Sequence, residues 1–298
     1  MSSDLNQTAA CCAQFYEQDW VQAILGESFH PGGVGLTKRL LESLSIEQGE
    51  QVIDVACGIG TTSLLVDELY GANVWGIDYS ESNVQRAADT AAEREFSIQF
   101  TKGDATSLPV GDAEANHLIC ECAVSTFSDQ PKAVAEFYRA LRPGGQVAIS
   151  DMVLNGQLPT ELESLLAPWT CLSSAKTAAG YQQLFIDAGF VVTSYVDESQ
   201  SLLDMILDLK KKLLIAGLGK TLATADGVPD MLASLNIADL KTLLGQAQDL
   251  VKQGVVQYCR MTFAKGTPKP TKTFGQQAEP NPMALQINDD SCGPGCDC

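Results

Sequence analysis

Residues 51–60 (QVIDVACGIG) constrain the fold most, because they place an acid and two glycines where a parallel strand must turn into a helix. The first five of these residues are mostly apolar and β-branched, and residues 61–69 then carry leucines at helical spacing. Gly58 and Gly60 allow backbone angles and a close ligand approach that a Cβ atom would block. The segment therefore predicts a nucleotide-binding turn or, alternatively, a purely structural tight connection.

Two further acids follow predicted strands. Residues 73–77 predict a second strand that leads into Asp78, at about the spacing expected of an acid that binds ribose hydroxyls. Residues 98–101 predict a third strand, after which Asp104 could reach the edge of a base. Ser63 stands where the dinucleotide fingerprint has its third glycine, which makes a nicotinamide cofactor less favoured.

The alternation of strands and helices predicts an α/β fold. We expect a doubly wound, mostly parallel, seven-stranded Rossmann-like sheet with a helical N-terminal lid and a helical insertion before the last strand. The predicted division is a lid at 1–50, a nucleotide-binding domain at 51–199, the insertion with the closing strand at 200–265, and a flexible cysteine-containing tail at 266–298.

The order of these elements resembles the class I S-adenosylmethionine-dependent methyltransferases, over roughly residues 51–151. The D-x-A-C-G-x-G turn at 54–60 and the segment ALRPGG at 140–145 carry the resemblance. It implies S-adenosylmethionine as the cofactor, with its amino-acid end at the turn, its ribose at Asp78 and its adenine near Asp104. The cofactor-binding residues that the resemblance implies are Asp54, Gly58, Gly60, Asp78, Tyr79, Asp104, Ala105 and Glu121.

Charge and composition limit the partners. The formal net charge of −18 disfavours nucleic acid and anionic membrane surfaces, so we expect a small-molecule or metalloid substrate. The amino terminus has no basic region followed by an apolar run, and no segment is as long as a membrane span. These features predict a cytoplasmic protein.

Ten cysteines are many for a reducing compartment, where a disulfide framework is not the default interpretation. Cys57, Cys120 and Cys259 lie in or beside predicted strands, where cysteine often acts as a small hydrophobic residue. Cys11 and Cys12 lie in the amino-terminal segment, and Cys292, Cys296 and Cys298 lie in the tail. The tail cysteines could capture metalloid ions, form a restoring disulfide, or belong to a partial zinc-like cluster.

Ligands of a doubly wound sheet gather at the carboxyl ends of the strands, where the strand order reverses. Cys57 follows the first strand and Cys122 ends the fourth, so both are candidates for that edge. Cys171 lies on the segment after the fifth strand, which should cover the same edge.

A narrower resemblance is to the arsenite methyltransferase family. It is carried by Cys122 with the following Ser128–Asp129–Gln130 and Arg142–Pro143–Gly144–Gly145, and by residues 171–175 (CLSSA). It implies that the thiolates of Cys122 and Cys171 are the catalytic ligands and bind trivalent arsenic as substrate. The family usually has a further cysteine in the helix after the glycine turn, where Thr61, Thr62 and Ser63 stand here.

This departure leaves three interpretations open. The acceptor already carries a methyl group and needs two thiolates, Cys57 or a tail cysteine completes the site, or arsenic is not the substrate. Thiolates suit a soft metalloid, whose lone pair attacks a methyl group without a general base, and a thiol reductant would be a partner. The alternatives are methyl transfer to carbon, oxygen or nitrogen of a small apolar metabolite such as a quinone or polyketide, and a non-enzymatic metalloid-binding or redox-sensing protein.

Overall fold

The computed structural model describes residues 30–160, 162–163, 172, 174–214 and 237–266. The strands are β1 Gln51–Val55, β2 Asn73–Asp78, β3 Gln99–Lys102, β4 Ala115–Glu121, β5 Leu141–Leu154, β6 Phe190–Asp197 and β7 Val256–Lys265. The α-helices are α1 Gly33–Leu41, α2 Thr61–Tyr70, α3 Glu81–Glu93, α4 Gln130–Ala140, α5 Ala178–Asp187, α6 Ser199–Leu214 and α7 Ile237–Lys252. A short 3₁₀ helix covers Val124–Thr126.

The strands form one seven-stranded sheet in the order β3-β2-β1-β4-β5-β7-β6. The pairs β1–β2, β1–β4, β2–β3 and β4–β5 are parallel, whereas β7 runs antiparallel to both β5 and β6. The predicted α/β class and doubly wound, mostly parallel sheet are therefore confirmed. Helix α1 lies in the predicted lid, and residues 1–29 of that lid lie outside the described residues.

The strand order reverses beside β1, which lies between β2 and β4. Val52 of β1 pairs with Val74 of β2 and with His117 of β4, so the carboxyl ends of all three strands reach the same edge of the sheet. We call this edge the switch edge. It is the place where a doubly wound sheet binds its ligand.

Strand β5 is the longest of the seven strands. It extends over Leu141–Leu154 and pairs continuously with β7 from Gln146 and Ala264 to Leu154 and Val256. The antiparallel partner satisfies backbone groups beyond the point where β4 ends. This extension carries the chain past the switch edge.

The helices cover both faces of the sheet. On one face α4 and α5 pack against a core that contains Phe137, Tyr181 and Phe185, all fully buried. The Phe185 ring stacks on Phe263 of β7, with centroids 4.0 Å apart and an interplanar angle of 5°. Side chains of this size supply much of the apolar area that stabilises such a core.

Helices α6 and α7 form the predicted insertion between β6 and β7. They contribute to a second hydrophobic cluster, which we call the insertion cluster. Its buried members are Leu36, Met152, Leu172, Leu202, Ile206, Val251, Val256 and Tyr258. The cluster joins the insertion to α1 and to the extended end of β5, so the insertion covers the sheet near the switch edge.

An ion-pair network joins helix α1 to the start of the insertion and to β7. Glu198, which precedes α6, lies 2.7 Å from Arg39 of α1 and 2.7 Å from Arg260 of β7. Although burial opposes the charged form, the hydrogen bonds from the two guanidinium groups hold the pKa of Glu198 below its ordinary value. The network therefore holds α1, the start of the insertion and β7 together.

Two of the carboxyl groups buried in the sheet, those of Asp54 and Asp151, have raised pKa values. Burial raises the pKa of Asp54 to about 7 and that of Asp151 to about 6, from an ordinary value of 3.8. Hydrogen bonds from Ser63 and Ser125 oppose these shifts without cancelling them. In the folded protein both acids therefore keep their protons to a higher pH than they would in the unfolded chain.

The protein should become less stable as the pH rises from about 4 to about 7. An acid with a raised pKa in the folded state favours folding below its ordinary pKa, and this contribution is lost as the pH rises through about 6 for Asp151 and about 7 for Asp54. Asp54→Asn, which keeps an acceptor for Ser63, should reduce the decrease by on the order of 1 kcal/mol. Urea unfolding at several pH values measures it, and identical slopes for the two proteins would contradict the expectation.

Candidate cofactor and acceptor site

The glycine turn between β1 and α2 has the backbone geometry that its sequence predicts. Gly58 and Gly60 adopt positive φ values of 55° and 82°. A Cβ atom on Gly60 would lie 2.9 Å from the Ala87 Cβ atom and 2.9 Å from the Phe100 ring. Glycine at position 60 is therefore required both by backbone conformation and by close packing.

Asp78 at the end of β2 holds the turn in place. Its carboxylate accepts hydrogen bonds from the Gly58 N–H at 2.8 Å and from the Ser80 N–H at 2.8 Å. A carboxylate has about four acceptor positions, which suits a group that holds backbone N–H donors and hydroxyl groups of a ligand together. The next residue, Tyr79, is exposed.

Asp104 and Ala105 lie in the loop after β3. The Gly103 N–H donates to the Asp78 carbonyl oxygen at 2.9 Å, which brings this loop beside the end of β2. The Asp104 carboxylate accepts from the Thr106 N–H at 2.8 Å, and Ala105 is buried in the core. The structure thus brings Gly58, Asp78 and Asp104 together, as a shared cofactor site requires.

Asp54 is less accessible than these residues. It is buried at 3% exposure, and its carboxylate accepts from the Ser63 hydroxyl at 2.6 Å. This bond joins β1 to the first turn of α2. Asp54 therefore stabilises the glycine turn from inside the sheet through its hydrogen bond with Ser63.

Glu121 at the end of β4 is the centre of a hydrogen-bond network at the switch edge. Its carboxylate accepts from the hydroxyl groups of Thr62 at 2.8 Å, Thr37 at 3.1 Å and Ser150 at 3.5 Å. The His30 Nε2 atom lies 3.6 Å from the same carboxylate, and the Tyr258 hydroxyl donates to Ser150 at 3.0 Å. The network links the lid, α2, β4, β5 and β7 around one acid.

Cys122 follows Glu121 and lies at the same edge. It has a positive φ of 53° and is partly exposed, and its N–H donates to the Ser150 carbonyl oxygen. A non-glycine residue in this conformation is uncommon and directs attention to a functional role. The side chain packs against the insertion cluster.

The other cysteines of the sheet have different surroundings. Cys57, Cys120 and Cys259 are buried, and burial raises the pKa of each thiol above its ordinary value. The Cys57 sulfur faces Gly76 of β2, whereas Cys122 packs towards the insertion cluster. The side chains of Cys57 and Cys122 therefore pack against different residues.

Cys171 lies outside the described residues, but the residues that follow it are anchored near Cys122. Leu172 is buried in the insertion cluster, against which Cys122 also packs. The Ser174 carbonyl oxygen accepts a hydrogen bond from the Gln130 side chain at 3.0 Å. The Lys176 carbonyl oxygen accepts from the Leu154 N–H at 3.0 Å, which fixes this segment beside the end of β5.

Sequence reasoning missed several residues of the site. Thr62, one of the three hydroxyl residues at the start of α2, proves to be a hydrogen-bond donor to Glu121. Thr37, Ser150 and Tyr258 reach the site from three separate elements, so no local pattern could identify them. Asp151 lies within β5, and its contact with Ser125 is visible in the structure alone.

Two absences apply to the described part of the chain. Within it, no group of three or more histidine, cysteine or acidic side chains is arranged to hold a metal ion. None of the helices formed by those residues is both long enough and apolar enough to cross a bilayer.

Comparisons with known proteins agree with this geometry. A model of the family described as a methyltransferase domain matches residues 46–202, more than half of the 298 residues. The phosphoethanolamine N-methyltransferase 1 of Triticum aestivum is 30% identical over 141 residues, which cover 47% of this chain and 28% of that protein. The arsenite methyltransferase of Halobacterium salinarum is 29% identical over 157 residues, or 51% of this chain and 40% of that protein. The chain thus spans less than half the length of these two relatives.

Solved structures show the same fold. The Haemonchus contortus phosphoethanolamine N-methyltransferase 2 in complex with S-adenosyl-L-methionine aligns with a TM-score of 0.66 and 16% identity, over 83% of this chain and 56% of that one. The [4+2]-cyclase SpnF aligns with a TM-score of 0.65 and 21% identity, over 81% and 84% of the two chains. With the family match covering more than half of its length, this chain belongs to the methyltransferase domain family, which confirms the prediction of a class I S-adenosylmethionine-dependent methyltransferase.

Proposed function

We propose that this protein transfers a methyl group from S-adenosylmethionine to a trivalent arsenical that is held by the thiolates of Cys122 and Cys171. One observation carries the proposal. Cys122 lies at the switch edge, and Leu172, the neighbour of Cys171, is buried in the cluster against which Cys122 packs. The residue that follows Cys171 thus packs in the same cluster as Cys122, which supports the proposal.

The residues of the edge fit the cofactor. Gly58 places no side chain between the backbone of the turn and a ligand, Asp78 presents a carboxylate to which ribose hydroxyls can donate, and the loop of Asp104 adjoins it. When bound, S-adenosylmethionine supplies a methyl group on a positively charged sulfur, which keeps the electron pair of the broken carbon–sulfur bond. The acidic side chains Asp78, Asp104 and Glu121 favour a cationic ligand at this edge.

The thiolates would fix the acceptor. Two thiols displace two hydroxyl groups of a trivalent arsenical, which leave as two molecules of water, and two arsenic–sulfur bonds form. The arsenic keeps its lone pair, and the two sulfurs hold that pair in a defined direction. A thiol reductant and a reducing compartment such as the cytoplasm would keep these cysteines able to bind, and both belong to the proposal.

The neighbourhood of Glu121 indicates how many thiolates take part. The helix position that carries a cysteine in the arsenite methyltransferase family is occupied here by hydroxyl residues, and Thr62 is engaged with Glu121. Two thiolates complete the coordination of an arsenical that already bears one carbon substituent. We therefore propose methylarsenite, more than arsenite, as the acceptor.

A second candidate is a small-molecule methyltransferase that acts on nitrogen, carbon or oxygen. The buried Glu121 carboxylate favours it, because an acid at the switch edge could bind an acceptor amine directly. The relatives named as phosphoethanolamine N-methyltransferases support the nitrogen version. A metalloid sensor, the third alternative, would bind the arsenical and transfer nothing.

Replacing Asp78 should weaken cofactor binding. Asp78→Asn removes the charge and one acceptor, so the side chain can no longer serve Gly58, Ser80 and a ribose together. The dissociation constant for S-adenosylmethionine should rise roughly 10-fold or more by isothermal titration calorimetry. Asp89→Asn, an exposed acid on α3, is the matched control. If Asp78→Asn binds S-adenosylmethionine with unchanged affinity, Asp78 is excluded from the ribose site.

Replacing either proposed ligand should abolish arsenical methylation. Cys122→Ser and Cys171→Ser should each lower the rate by more than the roughly 10- to 100-fold that loss of an outer-shell partner costs, because a hydroxyl binds soft arsenic poorly. Transfer of a labelled methyl group in the presence of a thiol reductant measures the rate. Cys120→Ala, which changes a buried cysteine two residues earlier, should be active.

The outcomes separate the candidates. Full methylation by both serine variants would end the thiolate proposal. Cofactor binding without arsenical binding would favour the small-molecule enzyme, and arsenical binding without transfer would favour the sensor.

The wild-type protein should methylate methylarsenite faster than arsenite. Thr62→Cys, which adds a thiol to α2, should shift the ratio of the two rates towards arsenite, because a third thiolate can then complete its coordination. Thr62→Ser keeps the hydroxyl group and is the control. Equal rates on both substrates in the wild-type protein would contradict the two-thiolate site.

A further inference from the structure

The Glu121 carboxylate is oriented by hydroxyl groups from three other elements. Thr62 of α2 donates to its Oε1 atom at 2.8 Å, Thr37 of α1 donates to the same atom at 3.1 Å, and Ser150 of β5 donates to Oε2 at 3.5 Å. The Glu121 side chain is 7% exposed. A carboxylate enclosed in this way interacts more strongly with a nearby charge than one that is surrounded by water.

Ser150 connects this carboxylate to the insertion cluster. Its hydroxyl oxygen accepts a hydrogen bond from the Tyr258 hydroxyl at 3.0 Å, and its carbonyl oxygen accepts from the Cys122 N–H. The bond from Tyr258 occupies an acceptor position of the Ser150 oxygen, which leaves the single hydroxyl hydrogen to point at Glu121. One residue of β5 therefore holds both the acid at the end of β4 and the residue that follows it.

Tyr258 brings a hydroxyl group to this point from inside an apolar cluster. Among the buried members of the insertion cluster in the described part of the chain, it alone carries a hydroxyl. It pairs with Met152, two residues after Ser150 on β5, so Tyr258 and Ser150 share a face of the sheet. Burial, then Cys122 and Glu121, raise the pKa of Tyr258 well above its ordinary value, so its hydroxyl keeps its proton and remains a donor.

The order of the acids along the switch edge matches the order of the groups in the cofactor. Asp104 follows β3, Asp78 ends β2 and Glu121 ends β4, with β1 and its glycine turn between the last two. Neighbouring strands lie roughly 4.8 Å apart, so roughly 10 Å of the edge separates Asp78 from Glu121. In S-adenosylmethionine the sulfonium lies between the ribose and the amino-acid end. An adenine at Asp104 and a ribose at Asp78 therefore direct the sulfonium towards β4.

We propose that Glu121 recognises the positive charge on the sulfonium of S-adenosylmethionine, and that Tyr258 is a positioning residue that holds Glu121 through Ser150. This inference rests on the cofactor site of the proposed function. When the methyl carbon is bonded to the acceptor, the electron pair of the broken bond stays on sulfur, and the neutral thioether S-adenosylhomocysteine remains. The attraction to Glu121 is lost with the charge, so the protein holds the product less tightly than the substrate.

The two forms of the cofactor provide the test, because they differ by one methyl group and one positive charge. Each is titrated into the full chain by isothermal titration calorimetry. Glu121→Gln should raise the dissociation constant for S-adenosylmethionine roughly 10-fold and leave that for S-adenosylhomocysteine within about 2-fold of its wild-type value. Glu68→Gln, which removes the same charge from an exposed position on α2, is the matched control and should leave both constants unchanged.

The positioning role is tested by a double-mutant comparison. Tyr258→Phe should raise the dissociation constant for S-adenosylmethionine roughly 3-fold, because the Ser150 hydroxyl loses the bond that directs it, and Ser150→Ala should act in the same way. In the Glu121→Gln background Tyr258→Phe should change neither constant, since a positioning residue acts only through the group that it positions. Tyr138→Phe, which removes a hydroxyl from α4, is the control. Urea midpoints identify any variant that has lost its fold, and such a loss would weaken both ligands alike.

Each outcome decides one part of the inference. Equal weakening of both ligands by Glu121→Gln would assign the carboxylate to the amino group that they share and would overturn the inference, as would unchanged binding of both. An equal effect of Tyr258→Phe with and without Glu121→Gln would overturn the positioning role. If the wild-type protein binds neither ligand, the cofactor site itself fails. Neither titration contains an acceptor, so a loss of affinity confined to S-adenosylmethionine supports the inference even if no arsenical is methylated.

Discussion

The parallel pairing of β1 with β2 on one side and β4 on the other is the constraint on which the rest of the structure depends. Because the three strands run in one direction, everything that follows them emerges at the switch edge. The glycine turn, Asp78 and Glu121 are neighbours for this reason. Reversal of any of these strands would send its loop to the opposite edge and would dissolve the site.

The switch edge concentrates acids in a chain that is already strongly acidic, and hydrogen-bond donors make this tolerable. Gly58 and Ser80 donate to Asp78, Ser63 to Asp54, and Thr62 to Glu121. Neutral donors stabilise a carboxylate without neutralising it, so the edge keeps its preference for a cationic ligand. Burial still dominates at Asp54, whose pKa rises to about 7.

The cofactor side of the switch edge is lined by hydrogen-bonded acids, whereas the proposed acceptor side is apolar. There, β5 extends past β4 because β7 pairs with it, and the insertion helices cover the extension with apolar side chains. Cys122 and Leu172 both belong to this covered region. The proposed enzyme thus combines a polar, hydrogen-bonded cofactor edge with an apolar cover over the neighbouring part of the sheet.

The sequence by itself determined the elements and the cofactor edge, since the turn at 51–60 and the acids after β2 and β3 are local patterns that parallel pairing brings together. It also singled out Cys122 and Cys171 as the proposed ligands of the acceptor. The hydrogen-bond partners of Glu121 and the hydrogen bond from Gln130 to Ser174 were decided by tertiary structure alone. Thr37, Ser150 and Ser174 lie far from these residues in the chain, and hydrogen bonds between distant segments leave no periodic signal because they depend on how the helices and strands pack.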